Sequence, residues 1–277
     1  MPELKNFYRN FRYVVLGRKF KGITAAQRKL PDFLVIGGKR CGTTTLFEFL
    51  RQHPMIAEPV IDHMGFFDDN YSIGINYYKS FFPLKSEENS KKLDYDVTTS
   101  YLTSPFVAER VAKEMPNVKI IVLLRNPTSR AWSDYNASQK KNASEKKFQS
   151  YIEDELDELK KNNFDDKVIK NAYDMSEPFS NLIKKGLYAV YLKKWLKLFP
   201  RENFLFIFTE SFSKDENKVF KQIFNFLGLK NFEIQKLQRM SKGNYEKLNP
   251  KIQNKLDSFF EPYNDSLFKL INQKYDW

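Results

Sequence analysis

The sequence predicts an α/β protein in which a three-layer parallel sheet is flanked by helices. Two segments dominated by consecutive apolar residues, Phe33–Ile36 and Lys119–Leu124, have the composition of strands buried on both faces. Helical patterns follow both strands directly, and this alternation is typical of a parallel sheet. No Gly/Ser-rich or Pro-rich linker divides the 277 residues, so we expect a basic extension over residues 1–30 and one domain over residues 31–277.

The elements of the first half follow from local patterns. After the first strand, apolar residues recur at helical spacing over residues 46–50, and His53-Pro54 ends that helix. A second strand is predicted at Leu93–Val97. Ser104-Pro105 then supplies an N-cap and a first-turn proline for another helix.

The second half continues the alternation after the strand Lys119–Leu124. Asn126-Pro127 again combines a cap residue with a proline at the first helical position. The remaining predicted elements are a surface helix around Phe148–Lys161, an amphipathic helix from Lys184, a strand at Phe204–Phe208, a helix ending at Gly228, and a helical tail from Asn249 that is broken near Pro262.

Composition restricts the partners and the compartment. The net charge of +12 favours anionic partners, although a Lys-rich solvated surface gives the same charge. Cys41 is the single cysteine, which excludes an internal disulfide and suits a reducing compartment. The apolar run Tyr13–Leu16 is shorter than a signal segment. We therefore expect a cytoplasmic protein whose basic extension can lie on a membrane surface.

The residues Gly37-Gly38-Lys39-Arg40-Cys41-Gly42-Thr43-Thr44-Thr45 stand between the first strand and the first helix. A loop at this place directs backbone N–H groups and a helix N-terminus towards one anion. The frame resembles an ATP-binding P-loop, but Thr43 stands where that loop has its lysine. The cations lie within the loop instead, at Lys39 and Arg40.

A second cluster begins where the strand Lys119–Leu124 ends. Arg125 occupies the carboxyl end of that strand, where parallel sheets bind their ligands. Ser133 lies about two turns into the following helix, so its hydroxyl and the Arg125 guanidinium can surround one phosphate.

Together the two clusters resemble the 5′-phosphosulfate loop and the 3′-phosphate motif of the sulfotransferases that use 3′-phosphoadenylyl sulfate (PAPS). The heparan-sulfate N- and 3-O-sulfotransferases are the most similar type. Further motifs of this resemblance follow in the same order: His53-Pro54, Phe66-Phe67, Tyr77-Tyr78, Thr98 to Pro105, Lys185-Gly186-Leu187-Tyr188, Trp195 to Pro200, Phe226 to Leu229, and Ser241-Lys242-Gly243.

The resemblance implies a P-loop-like sulfotransferase fold and a set of donor contacts. The 5′-phosphosulfate would be held by the loop, namely Lys39, Arg40, Cys41, Gly42, Thr43, Thr44 and Thr45. Arg125 and Ser133 would hold the 3′-phosphate, and Lys242-Gly243 would close over the nucleotide. Asp96 and Tyr101 are the expected acceptor contacts.

Several positions depart from the heparan-sulfate pattern. Arg40 replaces the usual lysine and resembles the tyrosylprotein sulfotransferases. Alignment on Phe66-Phe67 puts His63 where a glutamate base is usual, and an imidazole can serve as a general base near neutral pH. Asp62 and Glu58 are the alternatives, and a surface histidine is the plain structural reading. Val97 replaces an acceptor-side lysine, which argues against heparan sulfate itself.

The sequence therefore predicts transfer of a sulfuryl group from PAPS to a hydroxyl or amine, with a glycan or glycolipid as acceptor and no metal requirement. In the predicted mechanism His63 takes the acceptor proton, while Arg40 and Lys242 neutralise the leaving phosphate. Nucleic acid is not an expected partner. The alternatives are a degenerate P-loop kinase or NTPase, which needs an acidic strand end where Arg125 stands, and a non-catalytic polyanion binder, whose binding would depend steeply on salt.

Overall fold

The structure, a computed structural model, describes residues 23–57, 61, 63–86, 88, 91–167, 179–235 and 245–277. Its strands are β1 (Phe33–Gly37), β2 (Tyr95–Val97), β3 (Lys119–Leu124) and β4 (Phe204–Phe208). All pair in parallel, in the order β2-β1-β3-β4. The α/β fold class predicted from the sequence is confirmed.

The strands are buried because helices cover both faces of the sheet. The helices are α1 (Thr43–Leu50), α2 (Ile75–Lys79), α3 (Ser100–Thr103), α4 (Val107–Glu114), α5 (Pro127–Lys141), α6 (Phe148–Lys161), α7 (Tyr188–Leu198), α8 (Thr209–Lys214), α9 (Glu216–Leu227) and α10 (Pro250–Ile271). Shorter helical turns occur at Ala25–Gln27, Phe66–Asn70, Tyr71–Ile73, Lys184–Gly186 and Arg201–Asn203.

The direction of each crossover decides which face a helix covers. The chain moves one way from β1 to β2 and the opposite way from β2 to β3, so right-handed connections put α1 and α4 on opposite faces. Helix α9 joins the α1 layer, where the rings of Phe49 and Phe220 lie 5.0 Å apart. Helices α4, α7 and α10 pack successively in the other layer.

Three features of the helices differ from the sequence prediction. The helix predicted from Lys184 is a short turn at Lys184–Gly186 followed by α7, which begins at Tyr188. Ser104 ends α3 because, as the residue before Pro105, it has extended backbone angles, and the next helix starts at Val107 instead of Pro105. Helix α10 continues through Pro262. A proline inside a helix costs about 3 kcal/mol, but buried residues on both sides, Phe260 and Leu267, hold the helix against the domain.

The described part of the N-terminal extension contacts the domain. Ala25 is buried, and the Arg28 side chain donates to the carbonyl oxygen of Phe82. Lys29 Nζ lies 3.1 Å from a carboxylate oxygen of Asp94, just before β2. Residues 1–22, on which the expected membrane contact depends, lie outside the described residues.

Candidate active site

The loop after β1 is a tight turn with little free space. The Cys41 N–H donates to the Gly38 carbonyl at 3.0 Å, and Arg40 and Gly42 adopt left-handed backbone angles, with φ of 73° and 88°. A Cβ atom at Gly38 would lie 2.8 Å from Cys41 Sγ and 3.1 Å from the Tyr188 ring. A non-glycine residue at such a φ stores strain of about 1–3 kcal/mol, which is common at binding sites.

Helix α1 begins immediately after this turn. The N–H groups of Thr43, Thr44 and Thr45 belong to its first turn, where no intrahelical acceptor exists, and within the described residues no side chain caps Gly42. These groups form a partial positive charge that suits a phosphate or sulfate. Thr43 is buried, Thr45 is half-buried and Thr44 is exposed.

The structure brings the two clusters predicted from the sequence into direct contact. Arg40 Nε donates to Ser133 Oγ at 3.2 Å, and Arg125 Nη1 donates to the Arg40 carbonyl at 3.0 Å. Arg125 and Arg40 are both half-buried, whereas Ser133 is buried. The loop after β1 and the end of β3 therefore form one site with two guanidinium groups.

Helix α5 anchors the loop through a buried carboxylate. Asp134 lies 3.0 Å from Lys39 Nζ and 3.3 Å from Arg130 Nη1. Arg130 is fully buried, and it also donates to the carbonyls of Lys39 and Leu182. A single carboxylate thus partners two cations, so the neighbourhood keeps an excess of positive charge. Sequence analysis missed this pair, although the i, i+4 spacing of Arg130 and Asp134 on a predicted helix is a recognisable signal.

A further cation lies beside this pair. Lys185 is buried and donates to the carbonyl of Ser180 at 3.1 Å. Burial lowers its pKa to about 8, and the nearby Lys39 and Arg130 act in the same direction, while Asp134 opposes them. An anion bound near Lys39 would favour the charged form of Lys185.

Side chains from α7 and α8 fix the backbone of the site. Tyr188 donates to the Arg125 carbonyl at 2.9 Å. The Thr209 hydroxyl lies 2.6 Å from the Cys41 carbonyl and 2.9 Å from the Leu124 carbonyl, either of which can accept its proton. These hydrogen bonds hold the end of β3 and the loop after β1 in register.

Cys41 forms part of the turn itself. Burial raises the pKa of its thiol to about 11, so the thiol is neutral at physiological pH. Its Sγ lies 3.6 Å from the Tyr188 hydroxyl, and its N–H donates to the Gly38 carbonyl. In this structure Cys41 therefore shapes the loop and presents neither polar group to a ligand.

His63 lies at the same carboxyl edge of the sheet. Its N–H donates to the carbonyl of Val97, the last residue of β2, at 3.1 Å. The side chain is exposed, and the backbone has a left-handed φ of 59°. Since β2 is the neighbour of β1, His63 stands on the β2 side of the loop that contains Arg40.

Asp96 and Tyr101 are buried beneath this segment. The Tyr101 hydroxyl accepts the N–H groups of Phe66 and Phe67 at 2.9 and 3.2 Å and donates to Asp96 at 2.9 Å. Tyr78 also donates to Asp96, at 2.9 Å, and burial raises the pKa of this carboxyl to about 6. Neither predicted acceptor contact is accessible; both support the backbone that follows His63.

A second carboxylate near this network was missed by sequence analysis. Asp68 is almost fully buried and accepts hydrogen bonds from the Ser100 hydroxyl and the Asp69 N–H. Burial raises its pKa. Its position directly after Phe66-Phe67 was the sequence signal that could have identified it.

Four predicted residues, Glu58, Asp62, Lys242 and Gly243, lie outside the described residues.

Comparison with known proteins identifies the family. The family model described as "Sulfotransferase domain" matches residues 30–264. The chain belongs to the sulfotransferase family. This membership decides against a degenerate P-loop NTPase and against a non-catalytic polyanion binder.

Several relatives cover most of the chain at low identity. The membrane-associated sulfotransferase kil1 of Dictyostelium discoideum is 25% identical over 90% of this chain and 66% of its own length. Human heparan sulfate glucosamine 3-O-sulfotransferase 6 is 25% identical over 91% of this chain and 75% of its own length. Mouse heparan sulfate glucosamine 3-O-sulfotransferase 3B1 is 32% identical over 74% of this chain and 48% of its own length. The chain is thus an enzyme of the PAPS-dependent sulfotransferase group, close to the heparan-sulfate type, as the motifs predicted.

Solved structures support the same fold. A sulfotransferase from Alicyclobacillus acidocaldarius has a TM-score of 0.68 at 24% identity and covers 89% of this chain and 98% of that chain. The sulfotransferase domain from the curacin biosynthetic pathway has a TM-score of 0.50 at 16% identity and covers 78% of this chain and 82% of that chain. The P-loop-like sulfotransferase fold is therefore confirmed. Among the described helices none is both long and apolar enough to cross a membrane.

Proposed function

We propose that this sulfotransferase takes its sulfuryl group from PAPS, transfers it to a hydroxyl or amine of a carbohydrate acceptor, and releases adenosine 3′,5′-bisphosphate (PAP). The observation that carries the donor assignment is the joining of two cationic clusters at one sheet edge. Arg40 contacts Ser133, and Arg125 contacts the backbone of Arg40. A nucleotide that carries anionic groups at both its 5′ and 3′ positions matches this arrangement.

The residues divide between the two ends of the donor. The first turn of α1 and Arg40 suit the 5′-phosphosulfate, because backbone N–H groups and a guanidinium meet there. Arg125 and Ser133 suit the 3′-phosphate, for which an arginine supplies a bidentate fork and a hydroxyl supplies one further donor. Lys39 is held by Asp134, so in this proposal it contributes charge to the loop more than direct contact.

The proposed reaction is an in-line displacement at sulfur. The acceptor oxygen or nitrogen forms a bond to sulfur while the bond between sulfur and the bridging phosphate oxygen breaks, and the electron pair stays on PAP. His63 accepts the acceptor proton, and Arg40 with Lys242 stabilises the charge that develops on the leaving phosphate. Asp62 and Glu58 are the alternative bases.

Asp96 and Tyr101 act as positioning residues in this proposal. Their hydrogen bonds fix residues 66 and 67 and thereby the segment that carries His63. No described group of three or more His, Cys, Asp or Glu side chains is arranged to hold a metal ion. The proposed chemistry assigns the neutralisation of phosphate to Arg, Lys and backbone N–H groups.

A glycan or glycolipid is the acceptor class that we propose. Relatives are named for the glucosamine of heparan sulfate, and another relative is named as membrane-associated. Val97 stands where the heparan-sulfate type has a lysine, so we propose a carbohydrate other than heparan sulfate. We place the enzyme in the cytoplasm, at a membrane surface when the basic extension engages it, and propose no nucleic-acid partner.

The donor assignment is tested by calorimetry with PAP and with AMP, which lacks the 3′-phosphate. Arg125→Ala should weaken PAP binding roughly tenfold to hundredfold, as expected for a lost charge-assisted contact of about 1.5–3 kcal/mol. AMP binding should fall by less, because for AMP only the support that Arg125 gives to the Arg40 carbonyl is lost. Arg51→Ala, at the far end of α1, is the matched control and should change neither affinity. Equal PAP affinity in Arg125→Ala and wild type would refute the assignment of the 3′ site.

A further inference from the structure

The peptide group between Arg125 and Asn126 is hydrogen-bonded at both of its ends by side chains. The Tyr188 hydroxyl donates to the Arg125 carbonyl at 2.9 Å, and Glu210 Oε1 accepts the Asn126 N–H at 2.9 Å. The carbonyl and the N–H of a trans peptide point in opposite directions, so the two side chains contact the peptide plane from opposite sides. Together they restrict its rotation and thereby the direction in which the Arg125 side chain leaves the backbone.

This peptide depends on side chains because it lies between two regular elements. Strand β3 ends at Leu124 and helix α5 begins at Pro127. Asn126 is the N-cap of α5, with non-helical angles of −44° and 119°, and an N-cap N–H has no acceptor within its own helix. Glu210 supplies the acceptor that the helix lacks.

The register of the sheet places Glu210 at this peptide. Leu124 and Phe208 are paired, and they are the last residues of β3 and β4. Asn126 and Glu210 each follow two residues later. Because parallel strands end at the same edge of the sheet, the first turn of α8 brings the Glu210 carboxylate beside the start of α5.

Both oxygens of this half-buried carboxylate accept N–H groups. Oε2 accepts the Trp277 Nε1–H at 3.3 Å, and none of the ion pairs that join described residues includes Glu210. A negative charge beside a phosphate site opposes anion binding, so the charge of Glu210 alone would weaken binding of the donor. On the basis of the proposed function, we propose that Glu210 is a positioning residue. It orients the Arg125 guanidinium towards the 3′-phosphate and thereby favours donors that carry this group.

The test compares PAP and AMP binding to the full chain by calorimetry. Glu210→Ala removes the acceptor of the Asn126 N–H and should weaken PAP binding by roughly fivefold or more, within the range of one charge-assisted hydrogen bond. AMP binding should fall by less. Glu210→Gln keeps an oxygen for the Asn126 N–H and removes the negative charge, so it should bind PAP at least as tightly as the wild type. Glu202→Ala, an exposed residue at the opposite end of β4, is the matched control and should change neither affinity.

A double-mutant cycle tests whether Glu210 acts through Arg125. In an Arg125→Ala background, Glu210→Ala should cause no further loss of PAP affinity. Additive losses would overturn the positioning role and leave the donor assignment intact. Wild-type PAP affinity in Arg125→Ala alone would refute the donor assignment and this inference with it.

Two further comparisons separate positioning from charge and from general loosening. The same PAP affinity in Glu210→Ala and Glu210→Gln would overturn the inference, because the two variants share only the loss of charge. Tyr188→Phe keeps the ring and removes the donor at the other end of the peptide, so it tests the inference even if Glu210→Ala does not fold. It should weaken PAP binding more than AMP binding, and equal losses for the two nucleotides would contradict a role specific to the 3′-phosphate.

Discussion

Arg40 and Ser133 are separated by 93 positions in sequence and joined by a hydrogen bond of 3.2 Å. The bond links the loop after β1 to the second turn of α5. In the proposed function, Arg40 serves the sulfuryl end of the donor and Ser133 serves its 3′-phosphate. Together with the hydrogen bond from Arg125 to the Arg40 carbonyl, this contact couples the two ends of the donor site.

Ser133→Ala should weaken PAP binding by roughly twofold to thirteenfold, the effect of one hydrogen bond of about 0.5–1.5 kcal/mol. AMP binding should change less, because AMP has no 3′-phosphate. Calorimetry with both nucleotides measures the difference. Ser129→Ala on the same helix is the control, since Ser129 is exposed. A variant that loses AMP and PAP affinity equally would show that Ser133 only holds Arg40 in place.

His63→Ala should lower the turnover of labelled sulfate transfer by roughly 10²–10⁴-fold, the range of general-base catalysis. PAP affinity should stay near that of the wild type. Because the His63 side chain is exposed, added imidazole has access to the vacated position and should restore part of the rate. Unchanged turnover would move the base to Asp62 or Glu58, to be tested by the corresponding amide variants.

Much of the fold follows from the sequence because each strand is a run of apolar residues that only a two-sided core can cover. Phe33–Gly37 and Lys119–Leu124 agree with the predicted segments almost to the residue. The helix start predicted at Ser104-Pro105 was wrong for a local reason. Ser104 has extended backbone angles and ends α3, and its hydroxyl accepts no N–H group of a following helix among the described residues. Asn126-Pro127, with the same signature, does start a helix, because the Asn126 side chain accepts the Ser129 N–H.

The candidate site was predictable where its residues lie within a few positions of one another. The loop from Lys39 to Thr45 and the end of β3 at Arg125 are of this kind. The supports of the site come from distant segments. Tyr188, which holds the Arg125 carbonyl, is 63 positions away in sequence, and Thr209 is 168 positions from Cys41. Single-sequence patterns contain no information about such pairs, which only the sheet order brings together.

Tyr101→Phe should lower both stability and turnover. It removes the oxygen that accepts the N–H groups of Phe66 and Phe67, so two buried donors lose their partner, at about 1–3 kcal/mol each. Tyr78→Phe is the matched control, because its hydroxyl meets Asp96 but neither of these N–H groups. The control should lose a smaller amount of stability and retain its turnover. Thermal unfolding and sulfate transfer distinguish the two, and equal turnover in both variants would refute the positioning role.

Asp96→Asn should change how stability depends on pH. Burial raises the pKa of Asp96 from 3.8 to about 6, so between these values the folded chain holds a proton that the unfolded chain has lost. The contribution of this group is therefore fully present below pH 3.8 and is lost as the pH rises through 6. Each pKa unit corresponds to 1.36 kcal/mol, which gives about 3 kcal/mol in total. Between pH 4.5 and pH 7 the free energy of unfolding, measured with denaturant, should therefore change in a more positive direction in the variant than in the wild type. The same change in both proteins would contradict the assignment.

PAP binding near pH 9 should take up protons through Lys185. Burial lowers the pKa of Lys185 to about 8, so at pH 9 much of this group is neutral in the free protein. Phosphate groups close to Lys39 would favour the ammonium form and raise that pKa in the complex. Calorimetry in buffers with different ionisation enthalpies measures the number of protons taken up. Lys185→Met should abolish the uptake, whereas Lys184→Met should preserve it, because Lys184 Nζ pairs with Glu158 at 2.8 Å.

Lys185→Met should also change how the stability of the ligand-free protein depends on pH. A lysine with a lowered pKa contributes stability that is present above its unfolded pKa of 10.5 and is lost as the pH falls through 8. Lys185→Met should therefore stabilise the free protein more at pH 7 than at pH 10. The free protein could show this pH dependence while PAP binding takes up no protons at pH 9. Lys185 would then be buried as described but too far from the donor phosphates to respond to them. The proposed position of the donor along the loop would have to be revised.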